Sequence, residues 1–472
     1  MHVIQRANRP LHTYTSSIPL PTTAYGDAHP TARYVGKIVI IAYIVMIPTT
    51  LLMRIYYRWS HSHGKPLLAC ALDTLCEIAA LLELGPWKHS NGIQRALETA
   101  MAETGLHDFG TEDGAACKPS GSVLNKVDRT GFIQRYLVTR EVGRRASGVD
   151  YSPLGHLIVG NVLHKRMCTR LRHIDYFKKH TQIRQVPIKN PIFVIGFPRT
   201  GTTFLHEMLG LHPNVKMHYT WEQMDHVPKS DVELPTAQRA DRQQRYDKNR
   251  GHFRNLMHVI GTNIQKIHRI GYDDPEECTT PCAMELPWAV PELPLMVFAL
   301  PELLQLGCGL AFDYYKEYLQ LMTWQSAGGI GIGSPGTPID QEYDLKTTAG
   351  ARKLGSDSTW MLKCPFHLPY LEELFQTFPD ATVVWTHRDP VECIASACSL
   401  YETLAEMGCE SWSIDKKAMG KAVLKYTQLC LERAEQTISK INQKYIVTHH
   451  GKGQNPVIHV RYQETVKNPQ DI

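Results

Sequence analysis

Residues 191–212 read PIFVIGFPRTGTTFLHEMLGLH, and no other stretch constrains the fold as tightly. A continuous apolar run ends in a glycine-containing loop, and an amphipathic stretch follows at once. That order is strand, tight loop, helix, the unit from which parallel sheets with covering helices are built. The loop Gly196-Phe197-Pro198-Arg199-Thr200-Gly201-Thr202-Thr203 has the context in which successive backbone N–H groups and a helix N-terminus converge on an anion. Its glycine spacing is that of a nucleoside-triphosphate loop, but Thr202 stands where the phosphate-binding lysine belongs. Arg199 is the cation the loop offers instead.

Further strands are expected at residues 360–363 (WMLK), 382–387 (TVVWTH) and 457–462 (VIHVRY), the first two followed by helical sequence. The fold class expected is therefore α/β, a mostly parallel sheet flanked by helices in the manner of P-loop nucleoside triphosphatases. After TVVWTH the chain turns through Arg388-Asp389-Pro390, and VECIASACSLYETL has helical spacing with Ser396 eight residues after Arg388. An arginine fork and a serine hydroxyl at such a junction suit a second phosphate. A net charge of +5, spread along the chain, is ample for a small anion and little for nucleic acid. The 12 cysteines include no CxxC pair and the 23 histidines show no ligand spacing, so no metal is expected. Gly331, Gly333 and Gly336 have dinucleotide-fingerprint spacing, but Pro335 and Pro338 oppose the helix that motif requires, and a loop is expected there.

At Pro198, Arg199, Thr200, Gly201, Thr202 and Thr203 the chain resembles the sulfotransferase superfamily, whose 5'-phosphosulfate loop reads approximately P-[KR]-[ST]-G-T-T. WMLKCPFHLPYLEELFQTFPDATVVWTHRDP and VIHVRYQETVKNP extend the resemblance to its broad branch, from about residue 150 to the end. The resemblance implies a sulfotransferase with 3'-phosphoadenosine-5'-phosphosulfate (PAPS) as co-substrate, released as 3',5'-ADP, and no metal. Arg388 and Ser396 would read the 3'-phosphate, with Lys363 and Arg199 stabilising the leaving phosphate. Two residues compete as general base. His367 follows Lys363 much as a histidine does in cytosolic relatives, and Glu222 lies near the glutamate that tyrosylprotein relatives use. His206 and His218 are lesser candidates. The acceptor hydroxyl or amine stays open among carbohydrate, lipid alcohol, small phenol and tyrosine. The alternative is a P-loop kinase or nucleotide hydrolase, which Thr202 and the second anion site disfavour.

The expected organisation is an N-terminal tail (1–37), a candidate membrane anchor (38–57), a helical lead-in (60–185) and the sulfotransferase domain (186–472). The anchor expectation rests on IVIIAYIVMIPTTLLM at 38–53, uncharged between Lys37 and Arg54. It makes a single-pass signal anchor the first expectation, Golgi among its destinations, and the cytoplasm the alternative. Helices between residues 220 and 325 are expected to form the acceptor side. The loop that closes over the adenosine phosphate in many relatives is not evident before Ile472, which leaves the completeness of the C-terminus open.

Overall fold

The computed structural model describes residues 30–61, 67–81, 92–109, 148–149, 151–228, 235–260, 263–282, 293–306, 309–326, 358–410, 413–449 and 455–467. Some helix-end side chains, those of residues 30–44 among them, are not described. The glycine-rich stretch carrying Gly331, Gly333 and Gly336 lies outside the described residues. The chain divides into a unit Met1–Arg54 and a larger unit Ile55–Ile472.

Five strands form one sheet: β1 (Ile192–Ile195), β2 (Val215–Lys216), β3 (Thr359–Lys363), β4 (Thr382–His387) and β5 (Val457–Arg461), in the order β2-β3-β1-β4-β5. Every adjacent pair is parallel, with Phe193 opposite both Leu362 and Val383. Side chains alternate between the two faces. Val194, Val215, Met361 and Val384 meet Leu205 of α5 (Thr202–Leu209) on one side. Phe193, Ile195, Leu362, Val383 and Trp385 face the main core on the other. That core is completed by α8 (Leu293–Leu306), α9 (Gly309–Ser326), α10 (Leu371–Thr377), α11 (Pro390–Glu406) and α12 (Lys416–His449).

Ahead of the sheet lie α1 (Pro30–His61), α2 (Leu67–Leu81), α3 (Gly92–Thr104) and α4 (Pro153–Lys179). Ser152 caps α4 by accepting from Gly155 N, and Pro153 sits where its missing N–H costs nothing. Between β2 and β3 come α6 (Thr220–Met224), α7 (Pro235–Ile260), α8 and α9, so the 220–325 region is helical where described. The chain ends in α13 (Tyr462–Lys467).

The anchor expectation is corrected. Among the described residues no helix is long and apolar enough to cross a membrane. The helix that contains 38–57 runs on to His61, and Arg58 near its end is 6% exposed. Its guanidinium pairs with Glu77 (3.0 Å) and Glu410 (2.9 Å), with Asp73 at 3.8 Å. Arg58 is thus buried among carboxylates of the larger unit.

Candidate active site

Because every strand runs the same way, all five end on one edge of the sheet. β1 is central, with β3 and β4 on its two sides, so the loop after β1 sits at the point where the connections diverge and ligands of open parallel sheets bind. The sheet brings the loop, Lys363 at the end of β3, Arg388 after β4 and Tyr462 after β5 to the same edge.

The loop is held from several sides. Thr200 Oγ1 donates to Phe197 O at 2.7 Å and meets Thr386 Oγ1 of β4 at 2.7 Å, while Thr386 Oγ1 reaches Ile195 O at 3.1 Å. Gly201 has φ +89°, and a Cβ there would stand 2.4 Å from the Tyr462 ring. Glycine is needed for both conformation and space. Arg199 is held at φ +75°, a costly backbone state for a side-chain-bearing residue and the kind that clusters at ligand sites.

That backbone turns Arg199 toward α11. Its Nε donates to Ser396 Oγ at 2.9 Å and its Nη1 to Ile267 O at 2.9 Å. Asp389 caps α11 through Val391 N, and Pro390 opens the helix, so Arg388 is the last residue before the turn. Arg388 Nη1 donates to Arg199 O at 3.2 Å, its guanidinium lies 4.5 Å from the Tyr462 ring centroid, and Glu392 accepts from its other nitrogens. The Arg388–Glu392 pair is surface-exposed and therefore weak, easily exchanged for an anion. Two motifs 189 residues apart meet through these bonds. A cavity of about 580 Å³ opens beside them, bounded by Phe197, Thr200, Trp385, Arg388, Leu431 and Ile438.

On the β3 side, Lys363 Nζ donates to Glu277 Oε1 at 2.7 Å and to Thr203 Oγ1 of the loop at 3.3 Å. Burial alone would lower its pKa, but the carboxylates of Glu277 and Glu276 outweigh that and hold it above the usual lysine value. The segment carrying those two acids is fixed by Glu276 N to His218 O at 3.2 Å and Cys278 N to Lys363 O at 3.0 Å. Burial raises the Glu276 carboxyl, and the neighbouring Glu277 charge adds to it, against the pull of Lys363; the result is about 7. For Glu277 burial pushes up as well, but the Lys363 ammonium wins and holds it below the usual range. His268 lies in the same field, its pKa lowered by burial and by the Lys363 and Arg199 charges against the opposing pull of Glu277.

The structure brings Pro198 to Thr203, Lys363, Arg388 and Ser396 together, and both expected bases are buried. His367 is 0% exposed, its ring set among Phe193, Phe312 and Tyr315, with neither ring nitrogen hydrogen-bonded. Burial drives its pKa down to about 3. Glu222 is spent on structure: one oxygen accepts from Tyr219 N at the start of α6, and the other pairs with Arg242. His206 is buried and bonded to Met361 O, and His218 is buried too. Sequence reasoning missed Glu276, Glu277 and Tyr462. The adjacent carboxylates in DDPEECTTPC were the available signal for the first two.

Residues 191–472 match the model of the sulfotransferase family. Two solved structures share the fold. Sulfotransferase STF1 from Mycobacterium tuberculosis has a TM-score of 0.54 and 21% identity over 80% of this chain and 86% of its own. Sulfotransferase STF9 from Mycobacterium avium has a TM-score of 0.52 and 20% identity over 80% of each chain. No curated protein matches the chain. With more than half its length matched by one family model and that fold around the loop, the chain belongs to the sulfotransferase family.

Proposed function

We propose that the protein transfers a sulfuryl group from PAPS to an acceptor hydroxyl or amine by in-line displacement. The observation that carries this reading is the Arg199–Ser396 and Arg388–Arg199 pairing, which joins the glycine loop to a second anion site. One anion site would suit any nucleotide. Two at this junction suit a nucleotide with phosphates on both the 5' and 3' positions, and the cavity beside Arg388 is of mononucleotide size. A kinase or hydrolase reading has no use for the second site and lacks the loop lysine.

In this reading the loop after Pro198, residues 199–203, holds the 5'-phosphosulfate through backbone N–H groups, and Arg388 with Ser396 holds the 3'-phosphate. Acceptor oxygen or nitrogen forms its bond to sulfur as the bond from sulfur to the phosphate oxygen breaks. The electron pair leaves on that phosphate oxygen, where Lys363 and Arg199 offset its charge. The acceptor proton goes to a carboxylate of the Glu276–Glu277 pair. Glu276 is the better matched, because a base with a pKa near the working pH is both ionised and basic enough. His367, the first expectation for this role, is a core residue in this mechanism.

Calorimetry tests the donor site. Wild type is expected to prefer 3',5'-ADP strongly over 5'-AMP. Arg388→Ala and Ser396→Ala should each erode that preference, with Arg388→Ala weakening 3',5'-ADP by about 1.5–3 kcal/mol, the scale of a hydrogen bond to a charged group. Retention of the wild-type preference by both variants would refute the assignment.

A further inference from the structure

Far along the chain from the sheet edge, α3 and α4 bring three side chains of unlike chemistry to one point. His164 and Cys168 stand one helical turn apart on α4, and Glu103 reaches them from α3. Their donor atoms all lie within 4.8 Å of one another. His164 Nε2 is 3.4 Å from Cys168 Sγ and 3.3 Å from Glu103 Oε2.

We propose that Glu103, His164 and Cys168 form a binding site for a thiophilic divalent cation, with Zn²⁺ the best match, that clamps α3 to α4. Three features support it. First, both contacts are made by the same ring nitrogen. A catalytic thiol relay would place the thiol on one imidazole nitrogen and the carboxylate on the other. The thiol also hydrogen-bonds Glu103, so the three groups are not ordered as a relay; their ligand atoms converge on one point that a cation could occupy. Second, the two separations from His164 Nε2, 3.4 Å to sulfur and 3.3 Å to oxygen, suit two edges of a tetrahedron. Zinc bonds of about 2.0–2.1 Å to nitrogen, 2.0–2.2 Å to oxygen and 2.3 Å to sulfur imply donor–donor edges of about 3.3–3.6 Å. Third, the surroundings favour a structural ion. Cys168 is 4% exposed, too enclosed for a nucleophile, while the half-exposed Glu103 leaves a fourth position for water. Arg172 Nη2 donates to the other Glu103 oxygen, Oε1, at 3.4 Å, which leaves Oε2 for the ion.

Burial, and then the Glu103 charge, raise the Cys168 thiol to about 11, so without metal it keeps its proton. Binding at neutral pH forms the sulfur–zinc bond and releases that proton to solvent. The Arg172 charge opposes the cation and limits affinity.

Titration of the full chain with Co²⁺, and separately with Zn²⁺, tests the site. Co²⁺ should produce a thiolate-to-cobalt charge-transfer band with one ion per chain, and Zn²⁺ should displace it, release about one proton and raise the melting temperature. Glu103→Gln and His164→Gln should weaken binding by more than the 10–100-fold expected for a mere supporting residue. Arg172→Gln should tighten it, which a metal bound elsewhere would not show. Cys168→Ser should lose the band. Should it misfold, the two glutamine variants at more exposed positions still decide the matter. No charge-transfer band in wild type, or a band that survives in His164→Gln, would overturn the proposal.

Discussion

His367 is fully buried, and burial outweighs the pull of the Glu277 charge and lowers its pKa to about 3. A protonated imidazole among Phe193, Phe312 and Tyr315 would be an unpaired buried charge, so the ring stays neutral and acts as core volume. His367→Leu should keep turnover within about threefold of wild type, below the range of general-base catalysis, while Glu276→Gln should lower kcat by about 10² to 10⁴. The sign of the pH dependence follows from the same assignment. A base must be ionised, so kcat/KM should rise as pH climbs through about 7, the value to which burial lifts Glu276, and that limb should vanish in Glu276→Gln. A profile unchanged in that variant, or a large kcat loss in His367→Leu, would return the proton to the histidine. Gly201 gives a sharper steric forecast. Gly201→Ala must hold a Cβ at φ +89° and push the Tyr462 ring aside, so nucleotide binding should fall well before the fold is lost. Isothermal titration with 3',5'-ADP against the melting temperature separates the two effects.

At the scale of elements, the chain advertises its longer strands and conceals the shortest. IFVI, TVVWTH and VIHVRY are apolar runs next to turn signals, and β4 spans the expected 382–387, while β1 and β5 fall within one residue of expectation. β2 has two residues, too few for any period to register, and exists because Val215 and Lys216 can pair with β3. The glycine loop and the Arg388 turn were legible because each lies on adjacent positions of the chain. The carboxylate pair was not, since Glu276 and Glu277 meet Lys363 only after a chain excursion of 86 residues is folded back. The same limit explains the apolar stretch at 38–53. Hydropathy registers the run, but the docking of Arg58 against Glu77 and Glu410 is tertiary. Removing one partner of a buried charge cluster leaves the others uncompensated. Arg58→Ala should therefore destabilise the protein by about 3 kcal/mol, and Arg58→Lys by less, as read from denaturant midpoints at constant m.

Across the whole molecule, the sheet edge concentrates buried titratable groups around one ammonium, and stability inherits a pH dependence from them. Burial lowers His206, His218 and His367 each to about 3. In the unfolded chain they titrate near 6.5, so their contribution is present above that value and is lost as pH falls from about 6.5 toward 3. Glu276 has the opposite sign. Its raised pKa makes the folded form hold a proton that the unfolded form gives up, so its contribution fades as pH rises from about 4.5 to 7. Between pH 5 and 6 the unfolded state then binds about two protons more than these four groups bind when folded. At about 1.4 kcal/mol per proton per pH unit, stability should fall by about 3 kcal/mol for each unit of acidification, more steeply where His173 and His226, also lowered by burial, add to it. Urea midpoints at pH 7, 6 and 5 measure the slope. His367→Leu should flatten it by about 1.4 kcal/mol per unit, since that variant removes one proton from the difference. A slope near zero in wild type would mean that these histidines are hydrated and charged in solution, and the core reading of His367 would fall with it.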